Sequence, residues 1–68
     1  MEAVRKYNIK IFDSSDNLIH EDNIIVRGVK KSRIRAIKIL KSDYELKHGT
    51  IMFEHSIRAT RLINKIQP

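Results

Sequence analysis

No cysteine occurs anywhere in the chain, which excludes disulfides and thiolate metal sites and suits a reducing compartment. Only two glycines, Gly28 and Gly49, and one proline are present. That scarcity leaves no glycine-rich phosphate loop, neither a P-loop nor a GxGxxG turn. Aromatic residues are few as well: Tyr7, Phe12, Tyr44 and Phe53, with no tryptophan. No apolar run approaches the roughly 20 residues that would span a bilayer, and the N-terminal stretch MEAVRKYNIK lacks the apolar core of a signal peptide. The expected location is the cytoplasm, with no membrane partner.

One further absence is local. Between Asp22 and Asp43 there is no acidic residue, and this window holds seven of the fourteen basic residues: Arg27, Lys30, Lys31, Arg33, Arg35, Lys38 and Lys41. The stretch from Asp13 to Asp22 is the reverse, with four acids and no Lys or Arg. Such segregation builds a directional field, and the basic part concentrates polyanions.

What is present is enough for one small domain spanning 1–68. The chain is 41% hydrophobic and 32% charged, a globular composition. A chain of this length buries only about 60% of the surface it exposes when unfolded, so association with a partner or a second copy is an available source of stability.

Residues 4–12 alternate, Tyr7, Ile9 and Ile11 against Lys6, Asn8 and Lys10, which predicts a strand. Asp13-Ser14-Ser15-Asp16-Asn17 predicts a turn, and 18–27 a second strand with a bulge or break near Glu21-Asp22-Asn23. Ser32 is the expected N-cap of a helix running from Arg33 to about Lys47. Its apolar face is Ile34, Ile37, Leu40 and Tyr44, widened by Ala36 and Ile39, and His48-Gly49 provides the stop. Alternation resumes at Thr50, which predicts a third strand over 50–57. Beyond it the tail reads either as continued strand or, from Ala59, Leu62, Ile63 and Ile66, as a short helix. The fold class is therefore α+β in the order β-β-α-β, a small antiparallel sheet with one helix packed on it. Its exposed strand edges offer a route to a homodimer.

The pattern points to a small basic binding protein without enzymatic activity or cofactor. Lys31, Arg35, Lys38 and Ser42 share one helical stripe, flanked by Arg33 and Lys41, while Arg27 and Lys30 extend the field into the preceding loop. A surface of this kind neutralises phosphates by charge alone. Two partner classes remain open: DNA or RNA, and an acidic surface of another protein, as for a phage-encoded or regulatory modulator. Phe12 falls opposite Tyr7, Ile9 and Ile11, beside Lys10, and is the one candidate for base stacking; the competing reading has it closing the core. The histidines promise less. His48 is expected to complete the helix stop, His55 to face inward, and His20 to lie exposed among acids. Asp43, His48, Glu54 and His55 fit no standard zinc spacing. A ribonuclease built on His48 or His55 would need a preorganised pocket for which so short a chain leaves little room.

Overall fold

The computed structural model describes residues 3–51 and 54–63. Three strands and one helix follow in the order β1 (Val4–Phe12), β2 (Leu18–Arg27), α1 (Ser32–His48) and β3 (Ser56–Leu62). The sheet order is β2-β1-β3, with β1 antiparallel to both neighbours. β2 and β3 are thus its two edges.

β1 explains the architecture. Its alternation places Tyr7, Ile9 and Ile11 on one face, where they are 4%, 0% and 0% exposed. Val26 and Ile24 of β2 and Ile57 and Ala59 of β3 share that face and close the core with Ala36 and Leu40 of α1. The helical stripe differs from the expected one. Ala36 and Leu40 form its centre, Ile37 and Tyr44 flank it, and Ile34 and Ile39 stay about half exposed. At 3.6 residues per turn Ile34 lies roughly 120° round from Leu40, too far for a single sheet face to cover.

Ser32 is not the helix cap. Lys31 takes that position in the left-handed region, φ 53°, with no side-chain capping bond. The Ser32 hydroxyl is instead buried in a 2.6 Å hydrogen bond with the Tyr7 hydroxyl, which ties the start of the helix to the central strand. At the other end Gly49, φ 93°, makes the expected exit, its N–H donating to the Glu45 carbonyl. The Glu45 carboxylate then accepts the Ile51 N–H at 3.0 Å.

β3 begins at Ser56, later than the alternation from Thr50 suggested. Ser56 pairs with Phe12, the last residue of β1; beyond it β1 offers no partner, so 50–51 cannot be strand. The inward parity of Ile57 and Ala59 holds, and the strand continues through Leu62, which excludes a helix over 59–62. Met52, Phe53 and Ile66 lie outside the described residues. The irregularity in β2 is also displaced. Ile11 pairs with His20 and Phe12 with Leu18, leaving Ile19 as the extra residue beside the turn. Glu21–Asn23 stays in register because the Asn8 side-chain amide donates to Glu21 and Asn23 at 2.8 and 3.1 Å.

The hairpin turn is an Asp13 construction. Its carboxylate accepts the N–H groups of Ser15 and Asn17, both at 2.9 Å, and the Asn17 amide. The Asn17 N–H above all, then that of Ser15, the Asn17 side chain and the charge of His55, hold this carboxyl below its ordinary value of 3.8 against some desolvation.

Two outcomes follow from these bonds. Tyr7→Phe and Ser32→Ala should each cost about 1–3 kcal/mol, since each strands a buried hydroxyl. The double variant should cost less than the sum, as read by urea denaturation of all four proteins. Because Asp13 has a depressed folded pKa, its contribution is complete above the unfolded value and is lost as pH falls through the folded one. Stability should therefore drop as pH is lowered below about 4, and that drop should shrink in Asp13→Ala.

Candidate nucleic-acid interface

The basic window occupies the end of the molecule where β2 gives way to α1. Gly28 leaves the strand at φ 85°, and its N–H returns to the Ala3 carbonyl at 2.6 Å. The Ser32 N–H closes a turn onto Val29 at 3.2 Å. Arg35 holds this loop from beneath. Its Nε donates to the Lys30 carbonyl at 3.1 Å, Nη1 to Arg27 at 2.7 Å and Nη2 to Gly28 at 2.9 Å. A planar fork of fixed donors is what three converging carbonyls require, and Lys cannot supply it. A side chain on Gly28 would sit 3.4 Å from that same Nη2, so the loop and the clamp fit closely.

Arg33 is also occupied. One guanidinium nitrogen donates to the Ala59 carbonyl of β3, and the group lies 5.6 Å from the centre of the Tyr7 ring. Two of the seven cations therefore hold loop, helix and sheet together, although both keep their charge in the field. The other five, Arg27, Lys30, Lys31, Lys38 and Lys41, are exposed and make no side-chain hydrogen bond or ion pair among the described residues. The ion pair seen among those residues is Lys47–Asp43 at 3.6 Å, on the helix's last turns. Arg27, Lys30 and Lys31 cluster at the loop, while Lys38 and Lys41 continue along the helix, roughly 10 and 15 Å beyond Lys31 at 1.5 Å per residue.

Backbone electrostatics reinforce this cluster. No acid stands in the first turn of α1, although the positive end of a helix favours one. The cations there add to the helix dipole instead of offsetting it. The C-terminal end of α1 approaches the opposite end of β2, where His20 meets the rings of Tyr44 and His48. The acids Asp13, Asp16, Glu21 and Asp22 belong to that end of the hairpin. Sequence polarity has become spatial polarity.

The histidines fall out differently from expectation. His20 is not exposed: its ring packs 5.2 Å from Tyr44 and 6.1 Å from His48, and its Nε2 is buried without a hydrogen-bond partner among the described residues. His48 does not make the helix stop, which belongs to Gly49 and Glu45; its ring lies 4.8 Å from Tyr44. His55 is half-buried beside the turn, where its charge acts on Asp13. Among the described residues no three His, Cys, Asp or Glu side chains are grouped to hold a metal, and no helix is long and apolar enough to cross a membrane.

Phe12 lies on the sheet face away from α1, half-buried, with the Arg58 guanidinium 5.0 Å from its ring centre. It does not belong to the core cluster. Arg58 was not among the residues singled out by sequence. Its position became readable only with the β1–β3 register, which sets it directly opposite Lys10. No family model, no curated protein and no solved structure matches the chain.

The clamp and the free cations should separate experimentally. Arg35→Lys keeps the charge and loses the fork, so it should destabilise the fold by about 1.5–3 kcal/mol. Lys38→Gln removes an exposed, unpaired charge and should change stability by less than about 0.5 kcal/mol. Thermal melts of the two variants check both figures.

Proposed function

We propose that this protein is a small, non-enzymatic nucleic-acid-binding protein that contacts phosphates through the loop and helix at 27–41. The observation that carries this reading is a set of five exposed cations, without counter-ions among the described residues, that begins at the positive end of α1 with Arg27, Lys30 and Lys31 and continues along the helix with Lys38 and Lys41. Cations placed where the helix dipole disfavours them, with no acid to offset them, cost stability in the free protein. A phosphate backbone reverses the sign of that term. Lys31 adds a local cost of about 1–2 kcal/mol, being a non-glycine residue in left-handed geometry.

A specific feature favours a second reading, a modulator that docks on an acidic protein surface. At one end of the sheet a groove of about 460 Å³ is lined by Val4, Ile25, Leu62 and Ile63 together with Arg5, Lys6 and Arg61. Apolar side chains mixed with cations suit an acidic polypeptide with exposed aliphatic side chains. A pull-down from nuclease-treated lysate separates the readings: a stoichiometric protein partner retained there supports the second.

For the first reading, binding to duplex DNA should weaken steeply between about 50 and 200 mM salt. The slope of log K against log salt should be no steeper than about −4.5, the limit for five phosphate contacts. Mobility shift across a salt series measures it, and binding that is absent at the low end or indifferent to salt removes the idea. Lys31→Gly should decouple stability from function. Relief of the backbone strain should stabilise the protein by up to about 1 kcal/mol, while loss of one contact should flatten the slope by about 0.9.

A further inference from the structure

The sheet has two faces and α1 covers one. On the other, the register gathers Lys6, Lys10 and Phe12 of β1, Arg27 and Glu21 of β2, and Arg58 of β3. No described element lies over this face. Its four cations stand against the Glu21 carboxylate, and that carboxylate is taken up by the Asn8 amide at 2.8 Å.

Lys10 and Arg58 are direct cross-strand partners. Like charges set opposite each other in a sheet are unfavourable, and neither has an acidic ion-pair partner among the described residues. Arg58 lies instead over the half-buried Phe12 ring at 5.0 Å. The result is a short stack: an aromatic ring rooted in the strand, and over it an exposed, planar cation. Lys10 stands beside the stack, and Lys6 follows on the same side of β1.

A planar cation on an aromatic ring, with further cations leading away in one direction, matches a ligand that is itself planar and serially anionic. Nucleobases stack on Arg planes and on Phe rings, and the linking phosphates fall to Lys side chains. Bases inside a duplex have their faces covered by their neighbours, so the stack offers them nothing. Unpaired nucleotides can use it. The surroundings also set a direction, because Asp13 and Asp16 lie in the turn just past Phe12 and repel phosphates. A strand would therefore run from Phe12 towards Lys6 and Arg27.

We propose that the open face of the sheet is a second nucleic-acid surface, one that takes unpaired nucleotides by stacking on Arg58 and Phe12 while Lys10 and Lys6 hold the phosphates. It extends the phosphate-binding reading of the loop and helix; Arg27 is counted in both, but stacking depends on Arg58 and Phe12 and the helix surface on Lys38 and Lys41, so the two can fail separately. One molecule then presents a duplex-tolerant charged surface on one side and a single-strand platform on the other.

The experiment is fluorescence anisotropy with labelled oligo(dT) and with a mixed-sequence duplex of equal length. The proteins are wild type, Arg58→Lys, Phe12→Leu and the double variant Lys38→Gln/Lys41→Gln. Arg58→Lys and Phe12→Leu both preserve net charge. Each should lower oligo(dT) affinity roughly five- to hundredfold, leaving the salt slope and the duplex affinity unchanged. The helix variant should weaken the duplex and flatten its salt slope by about 1.8. Thermal melts establish that the variants are folded, and Arg58→Lys decides the matter if Phe12→Leu loosens the hairpin, because Arg58 is exposed. Oligo(dT) affinity indifferent to Arg58→Lys, or lost in equal measure with duplex affinity, overturns the proposal. Oligo(dT) binding that needs Arg58 and Phe12 without any duplex binding would uphold it and remove the helix-and-loop reading instead.

Discussion

Everything in this fold leans on one strand. β1 is central, pairs with both neighbours, and contributes Tyr7, Ile9 and Ile11 to a core that has only six buried apolar side chains among the described residues. With so few, fully burying each Ile at about 1.5–3 kcal/mol is a large share of the driving force. A chain this size has one helix with which to cover one face. Among the described residues no element covers the opposite side of β1, where Lys6, Asn8, Lys10 and Phe12 alternate outside the core cluster. The constraint that fixes the core also defines the surface on which function can be written.

The same economy governs the β2–α1 loop. A tight entry into the helix leaves the carbonyls of Arg27, Gly28 and Lys30 turned towards one point, and Arg35 satisfies all three. Arg33 performs a similar task between helix and β3. In a longer protein these carbonyls would be met by further backbone or by short polar side chains. Here they are met by cations, so structural need accounts for part of the basic window. The rest, Arg27, Lys30, Lys31, Lys38 and Lys41, makes no side-chain hydrogen bond or ion pair among the described residues. That charge, next to a helix N-terminus with no acid in its first turn, is what the proposed phosphate contacts rest on.

Much of this was legible in the amino-acid order, and the failures share a cause. β1 and β2 were readable to their end residues because period-two alternation and a five-residue turn are local signals. The helix was readable for the same reason, with Gly49 as its stop. What could not be read was set by partners distant in the chain. Ser32 looked like a cap until Tyr7, 25 residues away, claimed its hydroxyl. The third strand could not be bounded without knowing that Phe12 ends its neighbour. Arg33 and Arg35 were indistinguishable from Lys38 and Lys41 as charges, since a cation's use depends on which carbonyls the fold brings to it. Arg58 was invisible as a site residue for the same reason.

The edges of the sheet carry the argument one step further. Among the described residues both β2 and β3 are unpaired on their outer sides, which in so small a protein invites strand addition. β3 is short and carries Arg58 and Arg61, while β2 carries Glu21 and Asp22 along its middle. β3 thus carries cations alone, whereas β2 is acidic along its middle and basic at its end, at Arg27. Two copies meeting through their β3 edges would set like charges together, whereas the acidic middle of β2 of one copy against β3 of the next would be complementary, a head-to-tail contact that gives a ring or an open filament according to its rotation. A polyanion lying across Arg58 would neutralise the basic edge and weaken that complementarity. If the open face binds nucleic acid as proposed, nucleic acid and self-association would compete for the same charge.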